Sequence, residues 1–228
     1  MILYDSSGKP KRFDITGNYL EGTMGKLYIV GNECLKLFLN SIDRRATNCF
    51  DEDVFTTIMA LRLKNFYQLY DLYYNRNLTK IRGYLAKYYE PKEIDILTMP
   101  VDYVLNNFYN LYESTTKLAV NGIRICDLHD DNVILQDKEI IVIDVDEYHK
   151  DHIFNDEKSV LRKNIRAICA LFISLFNDAL YKYHSSENKV ALSKLTSELF
   201  RVNPIFGADP ICKKLSRYKY PIDYLKRK

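Results

Sequence analysis

The chain has 228 residues, enough for one sizeable domain or one built from two small lobes. Hydrophobic residues make up 47% and charged residues 28%, the balance of a globular protein rather than a disordered one. The net charge of +3 is too small to argue for a nucleic-acid partner, and no apolar run approaches membrane-spanning length.

Five scattered cysteines (Cys34, Cys49, Cys126, Cys169, Cys212) show no C-x-x-C spacing, which argues against a disulfide framework or zinc site and suits a reducing compartment. The N-terminal "MILYDSSGKPKRFDITG" has no apolar h-region. The expectation is a cytoplasmic protein, with export by a route that leaves no such signal still open. The 19 Tyr and 11 Phe imply many half-buried rings whose hydroxyls reach water, and carry no functional reading of their own.

In chain order, "GKLYIVG" and "ECLKLFL" are β-prone runs around a turn at Gly31-Asn32, which predicts a hairpin. "FDEDVFTTIMALRLKNF" places Phe50, Val54, Ile58 and Leu61 at helical spacing behind an acidic first turn. "QLYDLYY" and "IRGYLAKYY" read as two further strands.

From Pro100 the pattern changes. "PVDYVLNNFYNLYESTTKLAVNG" predicts a helix stopped at Gly122. The polar "DLHDDN" follows, then "VIL" and "IIVIDVD" around "QDKE", a second hairpin. "EKSVLRKNIRAICALFISLFNDALYKY" and "ENKVALSKLTSELFRV" both carry helical apolar spacing. The basic C-terminal run "CKKLSRYKYPIDYLKRK" holds seven Lys or Arg against one acid, Asp223, and is most simply a solvated face. The boundary between lobes falls near Tyr89 to Ile94, giving an N-lobe of about 1–90 and a C-lobe of about 91–228 within a single domain.

Asp127 and Asn132 stand five residues apart, after a helix and before a strand. This spacing resembles that of the protein kinase catalytic loop H-R-D-L-x-x-x-N, where the Asp accepts the proton of the attacking hydroxyl while the Asn holds Mg2+. Asp144 lies twelve residues further on, at the far end of a hairpin that returns its second strand beside its first. Oxygen ligands from Asn132 and Asp144 suit a hard cation that also carries phosphate oxygens.

These residues resemble the catalytic loop and metal-binding strand of the protein-kinase-like superfamily. "YLEGTMGKLYIVGNECLKLF" resembles its glycine-rich hairpin, with Gly22 and Gly25 kept and Leu20 in place of the first glycine. Lys36 in "CLKLF" stands where the family has its nucleotide lysine, and Glu52 is the acid chosen to pair with it over Asp51 and Asp53. The resemblance covers roughly residues 15 to 175.

It implies a two-lobed α+β kinase fold, a small N-terminal sheet lobe and a mainly helical C-lobe, with ATP and Mg2+ in the cleft. Three departures bear on the reading. Ile125-Cys126-Asp127 replaces His-Arg-Asp, Val145-Asp146 replaces Phe-Gly, and no A-P-E follows. Activation-loop control is therefore not expected. "DLHDDN" and "IDVD" are closer in texture to aminoglycoside and choline phosphotransferases.

The implied activity is ATP-dependent phosphoryl transfer to a serine or threonine of a protein substrate, by a monomer resembling minimal bacterial and effector-type kinases. Small-molecule phosphotransfer, nucleotidyl transfer and a pseudokinase binding module are the alternatives. Asp146 is a second candidate metal ligand, His129 a loop residue, and Asp130 and Asp131 solvated turn residues.

Overall fold

The computed structural model describes residues 1–15, 17, 19–22, 24–43, 50–150, 156–181 and 217–226. The second expected C-terminal helix, at 187–202, and most of the basic run lie outside them, as do Cys49 and Cys212. The described residues fall into two units. One comprises Met1–Leu63, Tyr67–Tyr89 and Asp144–His149, and the other Lys64–Phe66, Glu90–Ile143 and Lys150–Lys228.

The first unit is a seven-stranded antiparallel sheet with one helix. In chain order it contains β1 (Ile2–Tyr4), β2 (Pro10–Arg12), β3 (Tyr19–Glu21), β4 (Gly25–Val30), β5 (Glu33–Asp43), helix α1 (Glu52–Leu61), β6 (Leu69–Tyr74) and β7 (Lys80–Lys87). The sheet order is β2-β1-β6-β7-β5-β4-β3. The expected hairpin is β4–β5, pairing Val30 with Glu33, and Gly31 supplies the positive φ of its turn.

Alternation along β5 sorts its side chains to two faces. Leu35 and Leu37 pack with Leu3, Phe13, Tyr73 and Leu85 on one. On the other, Phe38 meets Phe50 and Tyr84, and Phe55 of α1 meets Tyr84, at ring separations of 4.9 to 6.1 Å. Lys36 shares this second face.

Helix α1 starts where Asp51 caps it, its carboxylate accepting from the N–H groups of Asp53 and Val54. It ends at Leu61, the last residue of the apolar spacing, where Arg62 turns left-handed at φ 45°, and Asn65 does so again at φ 58°.

The second unit is built on two long helices, α2 (Val101–Val120) and α3 (Glu157–Tyr181). Their contact includes Phe108 edge-on to Phe172. Gly122, at φ 69°, ends the turn after α2 as the sequence predicts. Then come β8 (Ile123–Arg124), a single 3-10 turn at Asp130–Asn132, and the hairpin of β9 (Val133–Gln136) and β10 (Glu139–Val142). Asp137 and Lys138 both have positive φ, the pattern of a type I′ turn made without glycine.

A buried polar network fixes this hairpin. The Asn107 carbonyl accepts from Ile140 N–H at 2.8 Å and from the Asn65 amide at 2.6 Å, while its own amide donates to Lys138 O at 2.9 Å. Asn65 also donates to Ile140 O. Every member has partners, so the network specifies the position of β10, the strand leading into Asp144. The last described helix, α4 (Pro221–Lys226), is tied back where Ile222 N–H donates to Leu97 O. Among the described residues no helix is long and apolar enough to cross a membrane.

Candidate active site

In the first unit the site is organised around Lys36. Its strand is held close on both sides by residues without a Cβ. A Cβ on Gly83 would meet Lys36 O at 2.0 Å, and one on Gly25 would meet Leu37 O at 2.4 Å. These glycines let the neighbouring backbones pinch β5 at the lysine. Gly83→Ala should therefore destabilise the protein by about 1–3 kcal/mol. Urea denaturation would show this as a lowered midpoint. Gly22 donates its N–H to Gly25 O at 2.8 Å, closing the turn of the glycine hairpin.

The Lys36 ammonium lies 2.7 Å from Asp144 Oδ1 and 2.5 Å from Asp146 Oδ2, and its side chain is only 12% exposed. It also sits over the Tyr84 ring, 5.9 Å from the centroid. Burial opposes its charge, but the Asp146 and Asp144 carboxylates outweigh that and hold its pKa above the usual lysine value.

The two acids differ. Asp144 is 39% exposed and has a left-handed backbone at φ 56°. Asp146 is 1% exposed. Its burial, with repulsion from Asp144, pushes its pKa up to about 6 against the pull of Lys36. Among the described residues neither Asp146 oxygen makes an aligned hydrogen bond, and the ion pair with Lys36 is its compensation.

The expected pairing of Lys36 with Glu52 is not made. Glu52 is a first-turn residue of α1, and its carboxylate accepts from the Tyr74 hydroxyl at 2.8 Å. The acids on Lys36 come instead from the segment after β10. Cys34, two residues before Lys36 on the same strand face, lies 2.6 Å from the Tyr67 hydroxyl. Burial raises both the thiol and the phenol pKa, so neither is an ionised nucleophile.

In the second unit the polar loop gathers around Asn132. Its amide donates to Asp127 O at 2.7 Å and reaches Asp127 Oδ2 at 3.3 Å. Both are acceptors, which fixes which way the amide points. His129 Nε2 lies 3.0 Å from the same nitrogen. Among the described residues the Asn132 side-chain oxygen has no hydrogen-bond partner. Its backbone O accepts from Ile143 N–H at 2.9 Å, the residue immediately before Asp144. Asp127 is 52% exposed at φ 53°, a backbone region that Asp tolerates better than most residues. Asp130 accepts from Ser174 at 3.2 Å, and a hydrogen bond with Asp178 lowers its pKa.

No family model and no curated protein matches the sequence. Among solved structures, a Legionella pneumophila kinase determined bound to IP6 matches with a TM-score of 0.50 at 13% identity, covering 88% of this chain and 78% of that one. The fold is protein-kinase-like. The kinase of the Cydia pomonella granulovirus matches with a TM-score of 0.45 at 16% identity, covering 60% of this chain and 56% of that one.

One residue of the kinase-like chain that the sequence reading passed over is Asn164. It is fully buried on α3, donates to Ile123 O at 2.9 Å and accepts from Ile125 N–H at 2.9 Å, two residues before Asp127. The signal was available: Asn164 interrupts the stripe of Val160, Ile168, Leu171 and Leu175, where a polar residue needs a reason. Asn164→Ala leaves two buried backbone groups unpaired, at about 1–3 kcal/mol each. A drop in thermal midpoint together with a fall in turnover is expected; a variant as stable and as active as wild type would contradict this role.

Proposed function

We propose that this chain is an ATP-dependent phosphotransferase that moves the γ-phosphoryl group to a hydroxyl, with serine or threonine of a protein as the acceptor. The observation that carries the reading is the pairing of buried Lys36 with Asp144, 108 residues away in sequence. Removing charges from water costs on the order of several kcal/mol per ion, and an apolar side chain would serve the sheet as well. Buried, mutually perturbed charges cluster at functional sites. Here the buried, perturbed group is Lys36, and it pairs with the acid that the kinase resemblance selects.

In this reading Lys36 binds the α/β-phosphates. Gly22 and Gly25 shape the hairpin that covers them, and Asp127 accepts the proton of the attacking hydroxyl. Its half-exposed carboxylate suits that task. Mg2+ fits the oxygens present. The partly exposed Asp144 carboxylate is a hard oxygen ligand, Asn132 is the second that the resemblance implies, and Mg2+ takes one or two such groups while phosphates and water fill the rest. When bound, the cation neutralises charge on the transferring phosphates. Positioning and charge neutralisation then supply most of the rate.

For the acceptor, the basic C-terminal run argues against the cationic substrates of aminoglycoside and choline phosphotransferases, since like charges repel. The "DLHDDN" texture favours small molecules and sets the comparison to make. The protein is incubated with γ-labelled ATP and Mg2+, once with a cell lysate and once with a panel of amino alcohols, sugars and aminoglycosides. Label in protein bands, recovered as phosphoserine or phosphothreonine, is expected. Phosphorylation of a small molecule with no protein labelled would overturn the choice of acceptor.

A further inference from the structure

We propose that Asp146, rather than a glutamate of helix α1, is the positioning residue that fixes the phosphate-binding lysine, Lys36. This rests on the nucleotide-binding role given to Lys36 above. Three acids compete for that task, and their surroundings separate them. Glu52 is engaged by the Tyr74 hydroxyl at 2.8 Å. Asp144 reaches Lys36 at 2.7 Å, but its side chain is 39% exposed, on a left-handed residue two positions beyond β10. It is placed to exchange partners with solvent or a cation.

Asp146 is 2.5 Å from the ammonium and 1% exposed. Its own position is fixed on both sides, because Val145 and Tyr148 are each 2% exposed and Tyr148 N–H donates to Val145 O. Tyr84, opposite Lys36 in the sheet register, is buried beneath the ammonium.

The two aspartates therefore divide the work. A carboxylate that cannot leave holds the lysine in one place whether or not nucleotide is present, which spares the bound state the entropy of ordering a long side chain. The more exposed neighbour remains available to the metal. The left-handed turn at Asp144 lets both carboxylates reach one ammonium, as the two ion pairs show. The sequence "DVD" supplies both acids to one lysine, and α1 is released from a role it does not fill here.

The test is a double-mutant cycle on affinity, combined with a readout that needs no nucleotide. ATP affinity is measured for wild type, D146N, K36M and K36M/D146N, with E52Q alongside, in the presence and absence of Mg2+. Lys36 acylation by an amine-reactive reagent is followed by mass spectrometry in wild type, D146N and E52Q.

The inference expects D146N to weaken ATP binding about tenfold or more, with and without Mg2+. It expects no further loss in the K36M background, an effect below about threefold for E52Q, and Lys36 acylation that rises in D146N only. Should D146N alone prove unstable because it unbalances a buried pair, K36M/D146N, which removes both charges, keeps the affinity comparison with K36M. An equal loss from D146N in both backgrounds, or a larger loss and a larger rise in acylation for E52Q, would overturn the assignment. If wild type binds no ATP, the phosphotransfer reading fails. The acylation arm still decides which acid holds Lys36: a rise in D146N alone upholds Asp146, and no rise rejects it.

Discussion

Replacing Asp127 by Asn should lower the phosphotransfer rate by about 10^2–10^4-fold while leaving ATP affinity within about threefold of wild type. Asn is the better probe than Ala because Asp127 sits at φ 53°. Asn tolerates the left-handed region nearly as well as Asp, whereas Ala adds backbone strain of about 1–2 kcal/mol. Loss in the Ala variant alone would report a distorted loop; loss in both reports the missing carboxylate.

Asp127 does not stand alone. Asn132 contacts both its backbone carbonyl and its carboxylate, and Asn164 anchors the backbone two residues before it. A missing base in an otherwise ordered loop should appear in kcat and spare ATP binding, because the proton it accepts belongs to the acceptor hydroxyl. An Asp127→Asn variant that keeps a rate within tenfold of wild type would exclude it as the base.

The second large effect is expected at Asp144. Asp144→Asn should abolish activity and remove the dependence of nucleotide binding on Mg2+, with a loss of about 10–100-fold in Mg2+-supported affinity. Equilibrium binding of ATP with and without Mg2+ checks this, and the contrast with Asp146 makes it specific. Loss at Asp144 should be confined to the Mg2+ condition. Loss at Asp146 should occur in both, because that carboxylate is held on Lys36 and shielded from solvent. If Asp146→Asn instead removes the Mg2+ response and Asp144→Asn leaves it intact, the roles of the two aspartates are exchanged.

What the sequence made legible is what short-range chemistry determines. The β4–β5 hairpin follows from alternation around Gly31, and the stop after α2 follows from Gly122. The cluster of Asp127, His129 and Asn132 is confined to six residues, so its proximity is a property of one loop. Other features needed the tertiary structure. Strands β1 and β2 are three residues each, and the "PKR" of β2 is exposed throughout, so no alternation marks them. Helix α1 ends at Arg62 with neither Gly nor Pro to announce it.

The partner of Lys36 was the hardest to foresee. Glu52, Asp51 and Asp53 are equivalent in composition, and only the packing shows Asp51 spent on the helix cap and Glu52 on Tyr74. In the same way, "DVD" offers two acids of one kind. Which is buried follows from the fixed positions of Val145, Tyr148 and Tyr84 around the second, which no local pattern encodes.

The central claim is transfer of the terminal phosphoryl group by this constellation. Its most direct test is to incubate purified protein with Mg2+ and an acceptor-containing lysate, using ATP labelled at either the γ or the α position, in wild type and Asp127→Asn. The account predicts that γ label moves to an acceptor in wild type only, and that α label stays with nucleotide. Transfer of α label would indicate nucleotidyl transfer, and tight ATP binding with neither label moving would indicate a binding module; either result contradicts the account.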